Sequence, residues 1–378
     1  MSDRSEQALL EMLSLYGLIY KSPGLFSRLR REVASLPVKD LSANLLRTFG
    51  ASEKLVRHCL SPAAIRKATV SAEKTLRWLE APGHHLLLNT SPHYPVGLKA
   101  IDLPPPLLLV AGQLPAPETP CLSIVGSRKP TRSGYRTAGD LARALAGLGF
   151  CIVSGLARGI DTGAHEGALA GNGHTLAVLG TGMDVSWPGG QALVRSRIIE
   201  TGAIITEFPM GAPPLAAHFP RRNRVVTGLS LGTVIVEAGL KSGSMISARL
   251  AADQGREVFA VPGSIYASQS RGCHALIRQG AVLVESVDDI LAELRGGLSS
   301  ANSMQAGLAP RENMLLLDEE ESALLTYLDT NPVSTEELTR LSGLPSATVA
   351  STLVRLEIMG LVYHDLMGYA LEPEARVG

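Results

Sequence analysis

The sequence predicts an α/β core, built on a parallel β-sheet, between a small helical N-terminal domain and a C-terminal winged helix. Three observations lead to this prediction. The middle of the chain alternates short apolar runs with helical segments, which is typical of a parallel sheet covered on both faces. Glycine accounts for 38 of 378 residues and aromatic residues for only 4%, a mix that suits tight strand-to-helix turns. The chain is also too long for one ordinary domain.

An N-terminal helical domain of a SAM-like or helix-hairpin-helix-like kind is predicted over residues 1–85. Apolar residues recur there at the spacing of amphipathic helices, and glycines and prolines divide the segment. Residues 89–120 are rich in proline and are interpreted as a connector around one strand at residues 107–110.

The sheet domain is predicted over residues 86–296. Its strands are expected at residues 122–125, 151–153, 175–179, 203–206, 233–236, 257–261 and 282–284. Its helices are expected at residues 134–148, 160–170, 192–200, 223–229, 244–254 and 272–278. The crossovers are expected to be right-handed. Because the strands are parallel, their carboxyl ends lie at one edge of the sheet, where ligands bind.

A linker and a winged helix are predicted at the C-terminal end. Residues 297–315 are rich in glycine, serine, alanine and asparagine, which is typical of a linker. Residues 316–378 follow with the element order of a winged helix. Helices are expected at residues 319–328, 335–341 and 347–359, and strands at residues 361–364 and near Tyr369.

The predicted winged helix is poorly suited to reading bases. Its third helix carries one cation, Arg355, whose charge Glu357 offsets, and the domain opens with four acidic residues at 318–321. Because such a face repels phosphate, we expect protein contact, self-association or weak duplex binding rather than specific readout.

The overall composition neither supports nor excludes a nucleic-acid partner. Lys and Arg together number 35, as do Asp and Glu, so any basic site must be local. No uncharged apolar run reaches the roughly 18 residues of a membrane span, and the charged N-terminus is a poor signal peptide, so a cytoplasmic protein without a membrane partner is expected. The cysteines are far apart and are expected to be reduced core thiols, not metal ligands: Cys59, Cys121, Cys151 and Cys273.

Three glycine-rich or polar loops follow predicted strands and are suited to holding phosphate. Glycine lets backbone N–H groups approach an anion, hydroxyls add donors, and arginine adds charge. The loops are Gly126-Ser127-Arg128, Ser154-Gly155 through Arg158 to Asp161, and Gly180-Thr181-Gly182. There is no GxGxxG fingerprint after a strand and no Gly-Lys pair, so no nucleotide cofactor is expected.

The densest basic run of the core is Phe219-Pro220-Arg221-Arg222-Asn223-Arg224. A ring can stack on any base, arginines can follow phosphates, and asparagine can bond a base edge or a sugar. The run is expected to precede a helix whose N-terminus adds donors. The alternative is a solvated arginine run with Phe219 in the core. Lys241, in a turn before three small polar residues, resembles a further anion cradle.

Two further sets of residues leave alternatives open. Glu237, at a strand end, is either the carboxylate of a nucleotide hydrolase or a structural group that caps a loop or pairs with an arginine, and the structural role is favoured. Asp161 and His165 are four residues apart at a predicted helix start, which places them on one face. A helix cap is favoured over an acid–base or metal pair.

Several of these motifs together resemble the DNA processing protein A (DprA/Smf) family. The matching segments are VGSR at 125–128, residues 154–161, FPRRNRVVTGLS at 219–230, EAGLKSGS at 237–244, and residues 256–263 and 272–281. The resemblance covers residues 90–295 closely. It implies an extended Rossmann-like fold that dimerises, binds single-stranded DNA without sequence preference, loads RecA recombinase during natural transformation, and has no established catalytic activity.

The resemblance also implies a DNA pocket around Arg128, Phe219 and Arg221. Many members carry a lysine shortly before that phenylalanine, whereas this chain has Leu215, Ala216 and Ala217. The DNA-binding residues expected from all observations are Gly126, Ser127, Arg128, Ser154, Gly155, Arg158, Phe219, Arg221, Arg222, Asn223, Arg224 and Lys241. The rival functions are a nucleotide N-glycosidic hydrolase using Glu237 and a scaffold that acts through its terminal modules.

Overall fold

The computed structural model of the chain describes residues 3–33, 36–294, 323–328, 332–358, 361–365 and 368–371. The chain divides into two compact units, residues 1–303 and 304–378. Each unit is described by itself. The described residues include no helix that is both long and apolar enough to cross a membrane.

Five helices and a short 3-10 turn form the N-terminal region. The helices are α1 (Asp3–Ile19), α2 (Pro23–Glu32), α3 (Ala43–Thr48), α4 (Glu53–Cys59) and α5 (Pro62–Leu79), and the turn is Val38–Asp40. Helices α1 and α5 approach closely, because a Cβ on Gly17 would lie only 3.3 Å from that of Ala68. Their apolar cluster continues into the sheet through Leu107. The predicted helices are therefore present, and they pack on the sheet within one unit.

The described residues of the first unit contain a nine-stranded sheet. Its strands are β1 (His84–Leu88), β2 (Leu107–Gly112), β3 (Cys121–Val125), β4 (Cys151–Ser154), β5 (Thr175–Val178), β6 (Ala203–Thr206), β7 (Gly232–Ile235), β8 (Glu257–Ala260) and β9 (Val282–Leu283). Their order is β1-β2-β6-β5-β4-β3-β7-β8-β9. The seven strands from β6 to β9 are parallel, as predicted. Strand β2 is antiparallel to both neighbours.

The segment interpreted as a connector thus contributes to the sheet. Strand β2, predicted as an isolated strand, pairs with β6, and the unpredicted strand β1 covers its other edge. Strand β1 begins with His84 and His85 and is mostly half-buried, so it lacks the continuous apolar run by which the central strands are recognised.

Helices cover both faces of the parallel part of the sheet. They are α6 (Val96–Lys99), α7 (Arg132–Gly147), α8 (Ile160–Ala170), α9 (Ala192–Thr201), α10 (His218–Gly228), α11 (Gly243–Asp253) and α12 (Arg271–Arg278). Residues 287–294 are also helical. Side chains alternate between the faces along each strand. Ile124 packs with α7 and α8, whereas Val125 packs with α10, α11 and α12.

The strand order places a crevice at the carboxyl end of the sheet. The chain winds from β3 through β4 and β5 to β6 and then returns to β7, which pairs with the other side of β3. The loops after β3 and β7 therefore lead away in opposite directions. Ligands of open α/β sheets bind at such a switch point.

The described part of the second unit has two helices, Thr335–Ser342 and Ser346–Ile358, followed by the antiparallel strands Val362–Asp365 and Gly368–Leu371. Residues 323–325 are also helical. Val333 forms an isolated bridge with Tyr369, which adds a third chain segment to the hairpin. This order agrees with the predicted winged helix. The predicted linker, residues 297–315, and the acidic run at 318–321 lie outside the described residues.

The four cysteines are free thiols. Cys151 and Cys273 are fully buried in the cluster beneath α10, α11 and α12, and Cys59 is buried among the N-terminal helices. Cys121 is half-buried and lies opposite Cys151 across β3 and β4. Among the described residues, no group of three or more His, Cys, Asp or Glu is placed to hold a metal ion.

Candidate nucleic-acid interface

The basic run 219–224 lies within helix α10 and not ahead of it. The prediction placed the helix at residues 223–229, but α10 begins at His218. Because an α-helix repeats every 3.6 residues, the run is divided between two faces. Phe219, Arg222, Asn223 and Val226, at positions i, i+3, i+4 and i+7, line a cavity at the switch point.

Arg221 and Arg224 lie on the other face of α10, away from this cavity. Both guanidinium groups donate to the same oxygen of Glu207, Oε2, at 2.6 Å. The side chain of Glu207 is only 1% exposed. Arg221 also donates to the carbonyl of Tyr20, and Arg224 to the carbonyl of Leu103. Arg221 and Arg224 were predicted to line the phosphate pocket. That prediction is wrong, because both guanidinium groups bind Glu207 inside the protein.

Arg222 forms the floor of the cavity. It is buried and donates to the carbonyls of Gly155 and Val178 at the ends of β4 and β5. Burial lowers the pKa of Arg222 to about 10, although the nearby carboxylate of Asp161 acts to raise it. The guanidinium is therefore charged at neutral pH. A Cβ at Gly155 would lie 2.2 Å from this guanidinium, so only glycine allows the approach.

Two adjoining cavities make one cleft, of about 550 Å³ and about 340 Å³. Both are lined by Arg128, Lys129, Gly155, Ala157, Phe219 and Arg222. The larger cavity extends to the start of α11 and includes the predicted residues Gly126, Ser127 and Asn223. The smaller one extends to Gly180, Arg158 and Trp187. We call the two cavities together the switch-point cleft.

Arg128 and Phe219 are stacked at the centre of the cleft. The guanidinium carbon of Arg128 lies 5.1 Å from the ring centroid of Phe219, within the range of a cation–π contact. Arg128 is exposed and Phe219 half-buried. Gly180 lies directly behind the ring, because a Cβ there would be 3.2 Å from Phe219. One wall of the cleft therefore presents an aromatic face and a solvated cation together.

At this edge of the sheet, two buried carboxylates already accept hydrogen bonds from the loops that lead into helices α7 and α8. At α7, Glu237 accepts from the backbone N–H of Thr131 at 3.0 Å and from its hydroxyl at 2.6 Å, while the same hydroxyl caps the helix at Gly134. At α8, Asp161 accepts from the N–H groups of Gly155 and Ala157. Burial raises the pKa of Asp161, and Arg222 opposes that rise.

The N-terminus of α11 differs, since serines and not a carboxylate surround it. Ser242, Gly243 and Ser244 line the cleft there, and the hydroxyls of the two serines lie 2.5 Å apart. A helix N-terminus carries partial positive charge and unpaired N–H donors. Of the three helix starts, α11 is thus the one that suits an anion.

The structural roles favoured for the acidic and histidine residues agree with these contacts. Glu237 holds the loop before α7, and Asp161 holds the loop after β4. His165 is fully buried, with Nδ1 2.7 Å from the hydroxyl of Thr175. Burial lowers the pKa of His165 to about 3, so it is a neutral core residue.

Two other predicted residues lie outside the lining of the cleft. Ser154 is buried and donates its hydroxyl to the carbonyl of Ile124, so it holds two strands together. Lys241 is exposed in the turn between β7 and α11, but it does not line either cavity. Strand ends look alike in sequence whether their polar groups face the crevice or a neighbouring strand.

Sequence reasoning missed Lys129 and Trp187. Lys129 directly follows Arg128, and its charge alone was a usable signal. Trp187 is one of two tryptophans in the chain and is 43% exposed. Its loop is held in place from below by Arg195, which donates to the carbonyls of Met183 and Val185. Arg158 donates to the carbonyl of Gly189 at 3.1 Å and fixes the loop from the cleft side.

Two protein-family models match the chain. The model of DNA recombination-mediator protein A matches residues 85–295, which contain every residue of the cleft. The model of the DprA winged helix domain matches residues 309–364. The two matches correspond to the sheet and to the C-terminal unit.

Relatives of the chain agree with these models. Protein Smf of Escherichia coli (strain K12) is 41% identical over 305 residues, which cover 79% of this chain and 80% of the relative. DNA processing protein DprA of Streptococcus pneumoniae is 42% identical over 200 residues, covering 53% and 71% of the two chains.

Solved structures are also similar. That of DNA processing protein A from Streptococcus pneumoniae has a TM-score of 0.61 and 31% identity, covering 78% of this chain and 98% of the other. The structure of DNA processing protein A from Helicobacter pylori, described for its single-stranded DNA binding mode, has a TM-score of 0.50 and 30% identity, with coverage of 57% and 96%.

Proposed function

The chain belongs to the DNA recombination-mediator protein A family, and from that premise we propose that it binds single-stranded DNA without sequence preference in the cytoplasm, in DNA uptake by natural transformation and in recombination. The observation that carries the proposal is the stacked pair of Arg128 and Phe219 at the centre of the switch-point cleft. An exposed cation can bind a phosphate, and an aromatic ring beside it can stack on the attached base.

The phosphates would contact Arg128, Lys129 and the start of α11. Arg128 and Lys129 are exposed, and neither forms an ion pair among the described residues. Arg222 is buried near the carboxylate of Asp161, whereas Arg221 and Arg224 share the single carboxylate of Glu207, which offsets one of their two charges, and they lie away from the cleft. The attraction that a polyanion meets in the cleft therefore comes chiefly from Arg128 and Lys129, with Arg158 and the N-terminus of α11 at either end.

One base would stack on Trp187, and another on Phe219 once Arg128 moves from its position over that ring to a phosphate. The two rings lie on the same smaller cavity, with Arg128 and Arg158 also on its lining. Every base has a π-face, so stacking does not discriminate strongly between bases. Paired bases in a duplex present edges and not faces to a cleft, so this arrangement favours a single strand.

A nucleotide hydrolase that uses Glu237 is not favoured. Both carboxylate oxygens of Glu237 already accept hydrogen bonds from Thr131, and the residue is 9% exposed and absent from the lining of both cavities. Incubation of the purified protein with nucleoside monophosphates, followed by chromatography for free base, separates the two functions. We expect no release of base above a Glu237→Ala control.

Loading of RecA and assembly into a homodimer are further parts of the proposal. Its support is the match to the recombination-mediator family model. Among the described residues, β9, two residues long, is an end strand of the sheet, which is where a second copy could pair. Light scattering tests the dimer. The rate of RecA assembly on single-stranded DNA coated with a single-strand-binding protein, with and without this chain, tests loading.

The primary test is a salt titration of binding to oligo-dT and to a duplex of equal length. We expect tighter binding of the single strand at every salt concentration. We also expect a linear fall of log K with log salt, with a slope of roughly −0.7 for each phosphate contacted. Equal affinity for the duplex would refute the proposed function.

A further inference from the structure

A second basic groove lies between the N-terminal helices and the sheet. It has a volume of about 620 Å³, and its far wall is the segment 209–213 that follows β6. Four lysines line it: Lys21, Lys54, Lys67 and Lys74. No aspartate or glutamate is among its lining residues. In a chain with equal numbers of acidic and basic residues, such a one-sided lining is a local concentration of positive charge.

Helical spacing places these lysines on faces that look into the groove. Lys67, Val70, Ser71 and Lys74 follow one another at i, i+3, i+4 and i+7 along α5, and all four line the groove. Lys54 and His58 are four residues apart on α4 and line it as well. All four lysines are exposed.

The charge of the groove is only partly offset by its neighbours: Asp184 accepts from the N–H of Gly211 on the far wall at 2.7 Å. The nearest acidic residues in sequence are Glu53 and Glu73, and neither lines the groove. Glu53 is bound to Arg47 at 2.6 Å. Among the described residues, none of the four lysines takes part in an ion pair with a carboxylate. A polyanion would therefore meet charge that is only partly offset.

The walls of the groove are held rigidly. The hydroxyl of Ser71 donates to the carbonyl of Met210 at 2.7 Å, joining α5 to the far wall. Tyr20, at the end of the groove, packs its ring 5.9 Å from that of His218. His218 immediately precedes Phe219, the stacking residue of the switch-point cleft. The groove and the cleft thus approach each other at the start of α10.

We propose that this lysine groove binds the phosphate backbone of the same single strand where it leaves the switch-point cleft. Lysine is a compact charge on a flexible stem and can follow a phosphate chain without fixing its conformation. The cleft would bind bases and phosphates together, and the groove would add phosphates alone. The inference rests on the proposed single-strand binding of the cleft and extends the DNA path across the N-terminal helices.

Length dependence of binding tests this path. Affinities of the full chain and of Lys67→Ala/Lys74→Ala are measured for oligo-dT of about 5 and about 20 nucleotides, near the lower end of and above the usual range of single-strand sites. For the long oligonucleotide we expect roughly tenfold weaker binding near 0.1 M salt and a salt slope smaller by about 1.4. For the short one we expect no change.

The matched control is Arg66→Ala/Arg77→Ala, which removes two cations from exposed positions of α5 that do not line the groove. Lys67→Arg/Lys74→Arg keeps the charge and is expected to bind like the wild type. Equal losses in the control and test variants, an unchanged affinity for the long oligonucleotide, or a loss confined to duplex DNA would each overturn the inference. Failure of the proposed function is separately visible, since then Arg128→Ala would bind the short oligonucleotide as well as the wild type.

Discussion

The guanidinium of Arg128 lies over the ring of Phe219, with its central carbon 5.1 Å from the ring centroid. Arg128 lies in the loop after β3 and Phe219 in the first turn of α10, 91 positions further along the chain, yet both line the cleft. The pairing holds the arginine extended over an apolar surface while its charge stays in solvent.

Replacing Arg128 with alanine is expected to weaken binding of oligo-dT and to reduce the salt slope by roughly 0.7, since one phosphate contact is lost. Arg128→Lys keeps the charge but loses the planar stacking, so its affinity should be intermediate with a slope near that of the wild type. Fluorescence anisotropy across a salt series measures both quantities. The control is Arg143→Ala, at an exposed position near the end of α7. If the salt slope falls equally in this control, Arg128 does not contact a phosphate.

Trp187 is expected to report directly on a bound base. The only other tryptophan, Trp78, is stacked on His84 with centroids 4.0 Å apart and does not line the cleft. Oligo-dT should therefore quench the fluorescence of the wild type and of Trp78→Phe, but not that of Trp187→Phe. An abasic strand should bind with little quenching. Quenching that persists in Trp187→Phe and is lost in Trp78→Phe would assign the signal to Trp78 and contradict a base on Trp187.

Truncation of either ring should weaken single-strand binding. Base–aromatic stacking is typically worth about 1–3 kcal/mol per base, so Phe219→Ala and Trp187→Ala should each lose affinity in that range. The salt slopes should stay unchanged, because no phosphate contact is removed. The conservative variant Phe219→Tyr should bind nearly as well as the wild type. A changed slope without a change in affinity at low salt would contradict a stacking role.

Glu207 is expected to matter for stability and not directly for DNA contact. It is the shared partner of Arg221 and Arg224, all three largely out of solvent. Glu207→Ala would leave two buried cations unpaired, and breaking a buried pair costs about 3–5 kcal/mol. The free energy of unfolding in urea measures the loss. The control is Glu53→Ala, which breaks the exposed pair with Arg47 and should cost at most about 1 kcal/mol.

A pH dependence of stability should follow from His165. Its pKa is lowered by burial from 6.5 to about 3. Between these values the unfolded chain binds a proton that the folded chain does not, so the free energy of unfolding falls as the pH falls through this window. Above pH 6.5 the imidazole is neutral in both states, and His165 then causes no loss of stability. The raised pKa of Asp161 acts in the opposite direction, from its folded value down to its ordinary 3.8.

The corresponding measurement is the urea midpoint at about pH 7.5 and about pH 5, on either side of the ordinary histidine pKa. We expect the wild type to lose stability on acidification and His165→Gln to lose less. Replacement of the exposed His93 by glutamine serves as the control and should leave the pH profile unchanged. If His165→Gln loses as much stability between the two pH values as the wild type, other groups cause the pH dependence.

Local sequence determined the architecture of this chain. Continuous apolar runs such as those of β4 and β7 are typical of parallel strands buried on both faces, and their glycine-rich ends mark the crevice edge. The Gly-Ser-Arg loop and Phe219 were therefore identifiable without a structure. Strand β1 was not, because its histidines interrupt the apolar pattern and pairing with β2 supplies its stability.

Only the tertiary structure decided which cations face the cleft. Arg221, Arg222 and Arg224 are equivalent in sequence, but 100° of rotation per residue sends the first and third to Glu207 and the second beneath Gly155. The lysine groove likewise needs α4, α5 and the segment after β6 to meet. A sequence shows that charge is present, whereas partners contributed by distant segments decide whether that charge is neutralised inside the protein or remains in solvent for a polyanion.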